Sequence, residues 1–405
     1  MLIVQKYGGT SVANPDRIKK VARHVADTFR NGHKVVVVVS AMAGETDRLL
    51  KLGHETGEAA AERELDALLA TGEQASAALV AIAINNAGVP AVSLNAMQIP
   101  IVTDSCHQRA RMKYIITDKI NKLLSSGHIV IITGFQGVDD SGDFTTIGRG
   151  GSDTSAVAIA KVLNADWCEI YSDVEGLYSA DPNACPKAVK IERASYEELL
   201  ETAGAGAKVV HMHAVELAAR HNVFLHLKKS PSLGADTAGT KITQDINMED
   251  VMVSTVAQTL NEAKLSVEKV PNKVGIAARI FEPLARANIN VDMIVQNVAK
   301  DGTSAISFTI AKQDLKKAMQ LTEAAAREMG AGKVEVSGDV AKISIIGVGM
   351  RSHAGVAARM FETLARHGID IQMISTSEIK VSVVIDSKHA SKAVSVLHEA
   401  FISSA

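Results

Sequence analysis

The sequence contains little cysteine, proline or aromatic character, and it has no excess of charge of either sign. Its three cysteines, Cys106, Cys168 and Cys185, are too few and too widely spaced for a disulfide framework or a zinc site, and they fit a reducing cytoplasm. Because 43 basic residues are balanced by 45 acidic ones, the chain lacks the basic excess typical of proteins that bind nucleic acid or anionic membranes. Small, roughly neutral partners are the remaining expectation.

A membrane span and an export signal are also missing from the sequence. No apolar run approaches the roughly 18 residues that a transmembrane helix needs. The N-terminus from Met1 to Lys6 has no basic region followed by an apolar segment and a cleavage site. We therefore expect a cytoplasmic protein. At about 150 residues per domain, its 405 residues predict two or three domains.

Short apolar runs alternate with helical patterns from residue 1 to about 230. This alternation predicts an α/β domain with a mainly parallel sheet, which binds its ligands beyond the carboxyl ends of the strands. A small polar segment, Ser230–Thr240, is predicted to be a loop or linker, and the domain is expected to end near residue 247. The predicted strands are Val35–Val39, Ile129–Ile132, Cys168–Tyr171 and Val223–Leu227, and the predicted helices include Ala59–Leu69 and Thr154–Leu163.

The rest of the sequence repeats itself. Gly275–Arg286 matches Gly355–Arg366, 80 residues further along the chain. The upstream segments Ala263–Val267 and Ala341–Ile345 also match, but their spacing is 78 residues. The second copy therefore has two extra residues in the loop before its helix. A strand at Val251–Gln258 is predicted to complete the sheet of the second copy, so that the copies interlock. The elements predicted in the first copy are Leu265–Val270, Val274–Ala287, Ile289–Val298, Ser304–Ala311, Asp314–Met329 and Lys333–Ser337; the predicted domains are 1–247, 248–338 and 339–405.

Two glycine-rich turns in the first domain carry candidate anion-binding chemistry. Lys6–Gly9 follows a short strand and precedes a helix predicted to begin near Asn14, so that backbone amides can cradle a phosphate beside a lysine. Gly148–Thr154 also leads into a helix, where Arg149 offers a grip for a carboxylate and Asp153 an acid that can pair with a lysine or hold Mg²⁺. Neither turn matches a common nucleotide fingerprint, and each alone is also compatible with an ordinary loop.

Two further motifs are weaker when taken singly. Ser172–Asn183 places polar side chains at the carboxyl end of a strand, where the base and ribose of a nucleotide would lie. Thr71–Gln74 is predicted to open another helix, in which Glu73 would serve as a first-turn charge.

Taken in order, these motifs resemble those of the aspartate kinases. The duplicated C-terminal unit is similar to the tandem ACT domains of that family, and the resemblance covers nearly the whole chain. It implies the three-layer α/β sandwich of the amino acid kinases, which is carbamate kinase-like, followed by two ferredoxin-like ACT domains. The strings are KYGGTS at 6–11, SAMAGET at 40–46, TGEQ at 71–74, TGFQG at 133–137, GRGGSDT at 148–154, SDVEGLYSADP at 172–182 and GAKVVH at 206–211.

The resemblance implies transfer of the γ-phosphoryl group of MgATP to the side-chain carboxylate of L-aspartate, the first step toward lysine, threonine and methionine. That carboxylate is ionised near neutral pH, so the enzyme's work is positioning and charge neutralisation. Lys6 is implied to neutralise the transferred group and Asp153 to orient it. Arg149 is implied to bind the α-carboxylate of aspartate and Glu73 its α-ammonium group, and Thr46, Gly150, Gly151 and Ser152 complete the implied pocket.

The resemblance also implies sites for ATP and for an effector. Mg²⁺ is expected to be held mainly by phosphate oxygens and water, with no firm protein ligand. Lysine or threonine is implied to bind where ACT copies meet, and the chain is expected to form a homo-oligomer through these domains. Some members of the family also make a shorter ACT-only subunit from an internal start, for which Met248 and Met252 are suitably placed. The implied ATP-binding residues are Lys6, Tyr7, Gly8, Gly9, Ser40, Ser172, Asp173, Tyr178, Asn183, Lys208 and Val209; the implied effector-binding residues are Asn272, Gly275, Asn290, Asp292, Gln296, Asp370 and Gln372.

Two positions depart from the family pattern. Asn183 stands where a basic residue is frequent, which puts one phosphate contact in doubt, and His213 stands where arginine is common, which we interpret as a packing or domain contact. Two alternatives stay open at this point. One is a kinase for another small acid such as acetylglutamate, glutamate or carbamate, and the other is an amino-acid sensor with an inert kinase half. The lack of a GxGxxG turn argues against a fused homoserine dehydrogenase.

Overall fold

The structure is a computed structural model that describes residues 1–57, 61–205, 210–234, 238–244, 252–299 and 302–403. The chain divides into two compact units. The first unit comprises Met1–Leu177, Lys190–Ala203 and Lys208–Ile246; the second comprises Tyr178–Val189, Gly204–Ala207 and Asn247–Ala405.

An eight-stranded sheet forms the centre of the first unit. Its strands are β1 (Leu2–Tyr7), β2 (Lys34–Val39), β3 (Ala91–Leu94), β6 (Ile129–Thr133), β9 (Trp167–Ser172), β10 (Arg193–Ser195), β11 (Leu225–Lys229) and β12 (Thr240–Thr243), and a smaller sheet contains β4 (Ile101–Thr103), β5 (Met112–Ile115), β7 (Gln136–Val138) and β8 (Phe144–Thr146). The helices are α1 (Pro15–Arg30), α2 (Glu45–Thr56), α3 (Glu62–Asn86), α4 (Asp118–Ser125), α5 (Gly151–Val162), α6 (Tyr196–Gly204) and α7 (Met212–His221).

The large sheet has the order β10-β12-β11-β9-β1-β2-β6-β3, and its described pairs are parallel except for β11 with β12. Alternate residues of each buried strand face opposite helical layers. Val36 and Val38 pack with α5 and α7, whereas Val35 and Val37 pack with α1 and α3. The predicted mainly parallel sheet with helices on both faces is therefore confirmed.

Helix α3 differs most from its prediction. We expected a helix over Ala59–Leu69 and a new one at Thr71–Gln74, but one helix runs without a break from Glu62 to Asn86, and residues 59 and 60 lie outside the described ranges. The prediction that Thr71–Gln74 opens a helix is wrong. Gly72 continues the helix because it lets α3 approach the chain after β2, where a Cβ atom at this position would lie 2.9 Å from the Cβ of Ala41.

The length and apolar composition of α3 would suffice to cross a membrane, although half of its most apolar stretch is buried inside the protein. It packs against α1 and the large sheet through Ala77, Val80 and Ile84. These contacts are those of a core helix in an α/β layer.

A six-stranded sheet with the order β14-β15-β13-β16-β18-β17 forms the centre of the second unit. The strands are β13 (Thr255–Pro271), β14 (Val291–Val298), β15 (Thr303–Ala311), β16 (Val334–Ile346), β17 (Met373–Thr376) and β18 (Lys380–Asp386). The helices are α8 (Ile276–Arg286), α9 (Leu315–Met329), α10 (Val356–Arg366) and α11 (Ala390–Phe401), with short 3₁₀ turns at Lys312–Asp314, Val348–Ser352 and Ser387–His389.

The two copies share their strands, as the interlocked arrangement predicts. The first half of β13 pairs with the second half of β16, and the second half of β13 pairs with the first half of β16. The expected short strands at Leu265–Val270 and Lys333–Ser337 are instead parts of two long strands, each serving both copies. The register shift beside Asn261, which has a φ of 62°, divides β13 between them. Of the predicted strand Val251–Gln258, Val251 lies outside the described residues and the strand begins at Thr255.

Candidate functional site

The carboxyl ends of four parallel strands converge at one edge of the large sheet. Lys6 in β1 is paired in register with Val38 of β2 and Ile170 of β9. Ser172 ends β9, and Gly134 follows β6 with its N–H donated to the carbonyl of the last β2 residue. This edge is where a parallel sheet presents its ligand-binding loops.

A buried ion pair lies at this edge. The Nζ atom of Lys6 is 2.6 Å from Oδ1 of Asp153, and the two side chains are 11% and 12% exposed. Asp153 occupies the first turn of α5, and His211 donates its backbone N–H to the Asp153 Oδ2 atom over 3.4 Å. Since the N-terminus of a helix carries partial positive charge, Lys6 and the start of α5 together favour an anion at this edge.

The first glycine turn lies directly beside the Lys6 amine. A Cβ atom at Gly8 would lie 3.5 Å from Nζ of Lys6, so a side chain there would fill the space next to the amine. At Gly9 a Cβ atom would come within 2.8 Å of the Ala41 carbonyl oxygen, so the close approach of these loops requires glycine. The predicted helix start is confirmed, because Asn14 caps α1 by accepting the N–H of Arg17 over 3.0 Å.

Glu73 is a buried carboxylate rather than the first-turn charge that we expected. Its side chain projects from the middle of α3, is 3% exposed, and accepts the N–H of Ala41 at Oε1 over 2.9 Å. Its Oε2 makes no hydrogen bond within the described part of the chain. Burial raises the pKa of Glu73 to about 7. When Glu73 is ionised, its buried Oε2 atom has no other partner among the described residues and can accept an ammonium group.

The turn between β8 and α5 presents Arg149 to solvent. A Cβ atom at Gly150, whose φ is 73°, would lie 2.1 Å from the ring of His211, so the turn accepts only glycine here. Gly151 and Ser152 are buried against the Gly134–Phe135 turn, which has φ of 68° at Phe135.

Sequence reasoning missed the supporting roles of several residues around this turn. Phe135 donates its N–H to the hydroxyl of Ser155 over 3.1 Å, and His211 packs under Gly150. Phe135 and His211 belong to the strings TGFQG and GAKVVH, which indicated the family resemblance. Neither string shows which backbone turn these residues support.

The remaining nucleotide candidates of the first unit fall at the same strand ends. Tyr7 is fully buried and stacks on Tyr171 with ring centroids 4.7 Å apart, so only its backbone can face a ligand. Ser40 and Ser172 are half-buried and Asp173 is exposed, as is typical of loop positions that can contact a ligand. Thr46, a candidate for the amino-acid pocket, lies half-buried in the first turn of α2.

Other candidates belong to the second unit or lie outside the described ranges. Lys208 and Val209 are outside the described residues. Tyr178 is half-buried, and the exposed Asn183 donates its backbone and side-chain N–H groups to Oδ1 of Asp181. In the first unit, His213 is exposed on α7, with Nδ1 3.6 Å from Oε2 of Glu216.

The effector candidates occupy corresponding places in the two copies. Asn272 and Gly275 lie in the turn before α8, Asn290 directly before β14, and Asp292 and Gln296 within β14, whereas Asp370 and Gln372 lie in the turn before β17. Met293 and Met373, which are neighbours of Asp292 and Gln372, pack into one small buried cluster with Val340 and Val384. Asp292 forms an ion pair with the buried Lys342. Asp292 and Gln372, which occupy matching positions in the two copies, therefore adjoin one shared cluster within a single chain.

Comparison with known proteins places this geometry in context. Residues 1–229 match the amino acid kinase family, and residues 265–325 and 343–401 match the ACT domain. An aspartate kinase from Stutzerimonas stutzeri is 48% identical over 400 residues, covering 99% of this chain and 97% of that protein. The structure of E. coli aspartokinase III with aspartate and ADP matches with a TM-score of 0.77 at 25% identity, covering 99% of both chains. Its structure with lysine and aspartate matches with a TM-score of 0.81 at the same identity and coverage.

Proposed function

The chain belongs to the amino acid kinase family as an aspartate kinase with C-terminal ACT domains, and we propose that Lys6, Asp153, Glu73 and Arg149 carry its reaction. The enzyme phosphorylates the side-chain carboxylate of L-aspartate with ATP and is regulated through its ACT domains. The observation that supports these assignments is the Lys6–Asp153 ion pair at the carboxyl edge of the sheet.

Lys6 acts on the γ-phosphoryl group. In phosphoryl transfer, negative charge lies on the equatorial oxygens of the transferred group, and the protein contributes mainly positioning and charge stabilisation. The Lys6 ammonium and the amide of Gly9 supply positive charge and a donor at one place. The expected role of the Gly8 amide is not supported, because that N–H is donated to the Tyr171 carbonyl over 3.4 Å. Asp153 holds the ammonium in position through its 2.6 Å contact. The nucleophile is already a carboxylate, so the site needs no general base.

Aspartate is bound at both of its α-substituents. Arg149 offers two parallel N–H groups to the α-carboxylate, and the free Oε2 of Glu73 accepts the α-ammonium group. Thr46, Gly150, Gly151 and Ser152 line the rest of this pocket. An N-acetylated acid has no ammonium group for Glu73, so this arrangement favours aspartate over acetylglutamate.

Mg²⁺ bound to ATP would neutralise phosphate charge. Among the described residues no three His, Cys, Asp or Glu side chains cluster as a metal site. One oxygen of Asp153 is engaged by Lys6 and the other by the N–H of His211. These residues fit a metal ion that is held mainly by phosphate oxygens and water. Tyr178 is proposed at the ribose, Lys208 near the base and phosphates, and Tyr7, Ser40, Ser172, Asp173, Asn183 and Val209 along the rest of the nucleotide.

The activity is tested by trapping the acyl phosphate as a hydroxamate. Purified protein with MgATP and L-aspartate is expected to give an aspartyl hydroxamate, with little product from acetylglutamate or glutamate. The assignment would be refuted if no hydroxamate formed from aspartate, or if the enzyme preferred acetylglutamate. An inert kinase half, the remaining alternative, would give no product with any acid.

A pH dependence is expected from Glu73. The raised pKa means that Glu73 is neutral below about pH 7 and ionised above it, and only the ionised form attracts the ammonium group of aspartate. At saturating ATP, kcat/KM for aspartate should therefore fall about tenfold per pH unit below pH 7. Glu73→Gln keeps the acceptor for Ala41 but removes the titration, so its lower kcat/KM should be flat between pH 5.5 and 8.

A second substrate separates this effect from a general pH effect. Succinate lacks the α-ammonium group, so its kcat/KM should not gain from ionised Glu73, and Glu73→Gln should narrow the discrimination between aspartate and succinate. An unaltered pH profile in Glu73→Gln would contradict the assignment. Because ionising a buried carboxyl costs free energy, the stability of the wild type relative to Glu73→Gln should fall as pH rises from 4.5 through 7. The unfolding temperature of the variant relative to the wild type should therefore be higher at pH 8 than at pH 4.5.

The regulatory assignments form part of the same proposal. We propose domain limits of 1–247, 248–338 and 339–405, a cytoplasmic location, and a homo-oligomer formed through the ACT domains. Lysine or threonine would bind at the seven effector candidates, which include Asp292 of the first copy and Gln372 of the second. Met252, within the described residues, and Met248, outside them, are proposed as alternative starts of a shorter subunit. Titration of lysine and threonine, singly and together, against the steady-state rate tests the effector; no change in rate would refute it.

A further inference from the structure

We propose that Asp66 and His107 are positioning residues that fix the Arg149 turn and thereby set the affinity for aspartate. The proposal rests on the assignment of Arg149 to the α-carboxylate of the substrate. Neither residue faces the candidate site directly, and both act through the backbone that carries Arg149.

Asp66 is a fully buried carboxylate in α3 that the reaction does not use. It accepts the Nδ1–H of His107 over 3.0 Å and the backbone N–H of Gln108 over 3.0 Å. It also accepts the backbone N–H of Thr146 over 3.0 Å and the Thr146 hydroxyl over 2.6 Å. Because a carboxylate can only accept, the bonded ring nitrogen of His107 carries a proton. One side chain thus joins α3, the 104–111 loop and the end of β8.

These contacts lead directly to the Arg149 turn. Thr146 is the last residue of β8 and lies three positions before Arg149. The carbonyl oxygen of Gln108 lies 3.0 Å from the point where a Cβ atom of Gly148 would stand, and φ of Gly148 is 86°. The backbone between Thr146 and Arg149 therefore sits on the loop that Asp66 holds. Without Asp66 the partly buried N–H of Gln108 and the buried N–H of Thr146 would lose their partner, a cost that favours rearrangement of the turn.

Helix α3 relates this support to the other end of the amino-acid pocket. Asp66 and Glu73 are seven residues apart, which is about two helical turns and about 10 Å of rise on one face. Glu73 holds the loop at Ala41 while Asp66 holds the 104–111 loop and Thr146. One rigid helix thus fixes the groups for the ammonium and for the α-carboxylate relative to each other, which is the preorganisation that a small ligand requires.

The experiment measures KM for aspartate, KM for ATP and kcat in His107→Ala and His107→Asn. His107 is used because it lies on a loop with its side chain 16% exposed, so its replacement spares the core. His107→Ala should raise KM for aspartate about tenfold, which is the loss expected for one charge-assisted hydrogen bond. KM for ATP and kcat should change less than about twofold. His107→Asn places an amide N–H near the position of the ring Nδ1 and should restore most of the affinity. Asp66→Asn should show the same selective rise in KM with a lower unfolding temperature.

A matched control comes from another buried side-chain hydrogen bond of the first unit. The hydroxyl of Tyr196 donates to the carbonyl oxygen of Val223 over 2.7 Å, and neither residue belongs to the 104–111 loop or to the Arg149 turn. Tyr196→Phe should lower the unfolding temperature and leave both KM values unchanged. Equal changes in the two KM values of His107→Ala, no change at all, or no recovery in His107→Asn would overturn the proposal. If Arg149→Ala leaves KM for aspartate unchanged, the proposed pocket itself is wrong; if Arg149→Ala raises it and His107→Ala does not, only this inference fails.

Discussion

Replacing Lys6 with alanine is expected to lower kcat by about 10³- to 10⁴-fold, while KM for aspartate changes by less than about threefold. Cationic groups that neutralise a transferred phosphoryl group contribute effects of this size because they act on charge in the transition state. The Lys6 Nζ atom is fixed at 2.6 Å from Asp153 Oδ1, in a place where Gly8 leaves space for a phosphate. Steady-state kinetics with both substrates varied provide the measurement.

The ion pair makes a stability control necessary. Removing Lys6 leaves the carboxylate of Asp153 buried without its cation, which by itself can cost about 3 to 5 kcal/mol. The double variant Lys6→Ala with Asp153→Asn should therefore recover unfolding temperature relative to Lys6→Ala and remain inactive. Lys20→Ala, on the exposed face of α1, should match the wild type in both measurements. A double variant that regains turnover together with stability would show that Lys6 is only structural.

The parallel sheet of the first unit and the interlocked repeat of the second were predictable, because both follow from apolar runs and repeated segments in the sequence. Uninterrupted valine and isoleucine runs at β2 and β6 indicate strands with both faces covered. The two copies repeat the same residues at nearly constant spacing. The strand predicted at Val251–Gln258 precedes the first copy, so it was assigned to the sheet of the second copy. What the patterns could not show is that β13 and β16 are each continuous, since Asn261 and the polar residues after it resemble a turn in the sequence.

The site was less predictable than the fold because its contacts join distant residues. Lys6 and Asp153 are 147 positions apart, and only the stacking of α5 on the sheet brings them together. The Thr71–Gln74 motif alone predicts Glu73 as a first-turn charge, since Gly72 is a poor helix former. In the structure, Gly72 instead allows the close approach of Ala41 within an unbroken α3. Asp66 and His107 carried no motif at all. The role of His107 depends on its hydrogen bond to Asp66, and the role of Asp66 depends on the backbone N–H groups that it accepts; neither set of contacts can be read from the sequence.

Replacing Arg149 with alanine is expected to raise KM for aspartate about 100-fold, with KM for ATP within about twofold of the wild type. A bidentate charge-assisted contact with the α-carboxylate accounts for a loss of this size. Since Arg149 is exposed on the turn before α5, its side chain contributes little packing, and the unfolding temperature should stay within about 1 °C. Arg149→Lys keeps the charge but loses the planar pair of donors, so its KM should lie between the two.

The identity of the contacted group is tested with β-alanine, which retains the ammonium and the reacting carboxylate but lacks the α-carboxylate. The wild type should strongly prefer aspartate, and Arg149→Ala should reduce that preference mainly by losing kcat/KM for aspartate while kcat/KM for β-alanine stays nearly constant. Arg111→Ala, another exposed arginine of the first unit, should preserve the wild-type preference. Equal losses with both substrates would mean that Arg149 acts on a shared group, such as the phosphoryl oxygens, and the assignment to the α-carboxylate would have to be abandoned. Because the comparison is internal to each variant, it separates recognition of one functional group from any general change in the site.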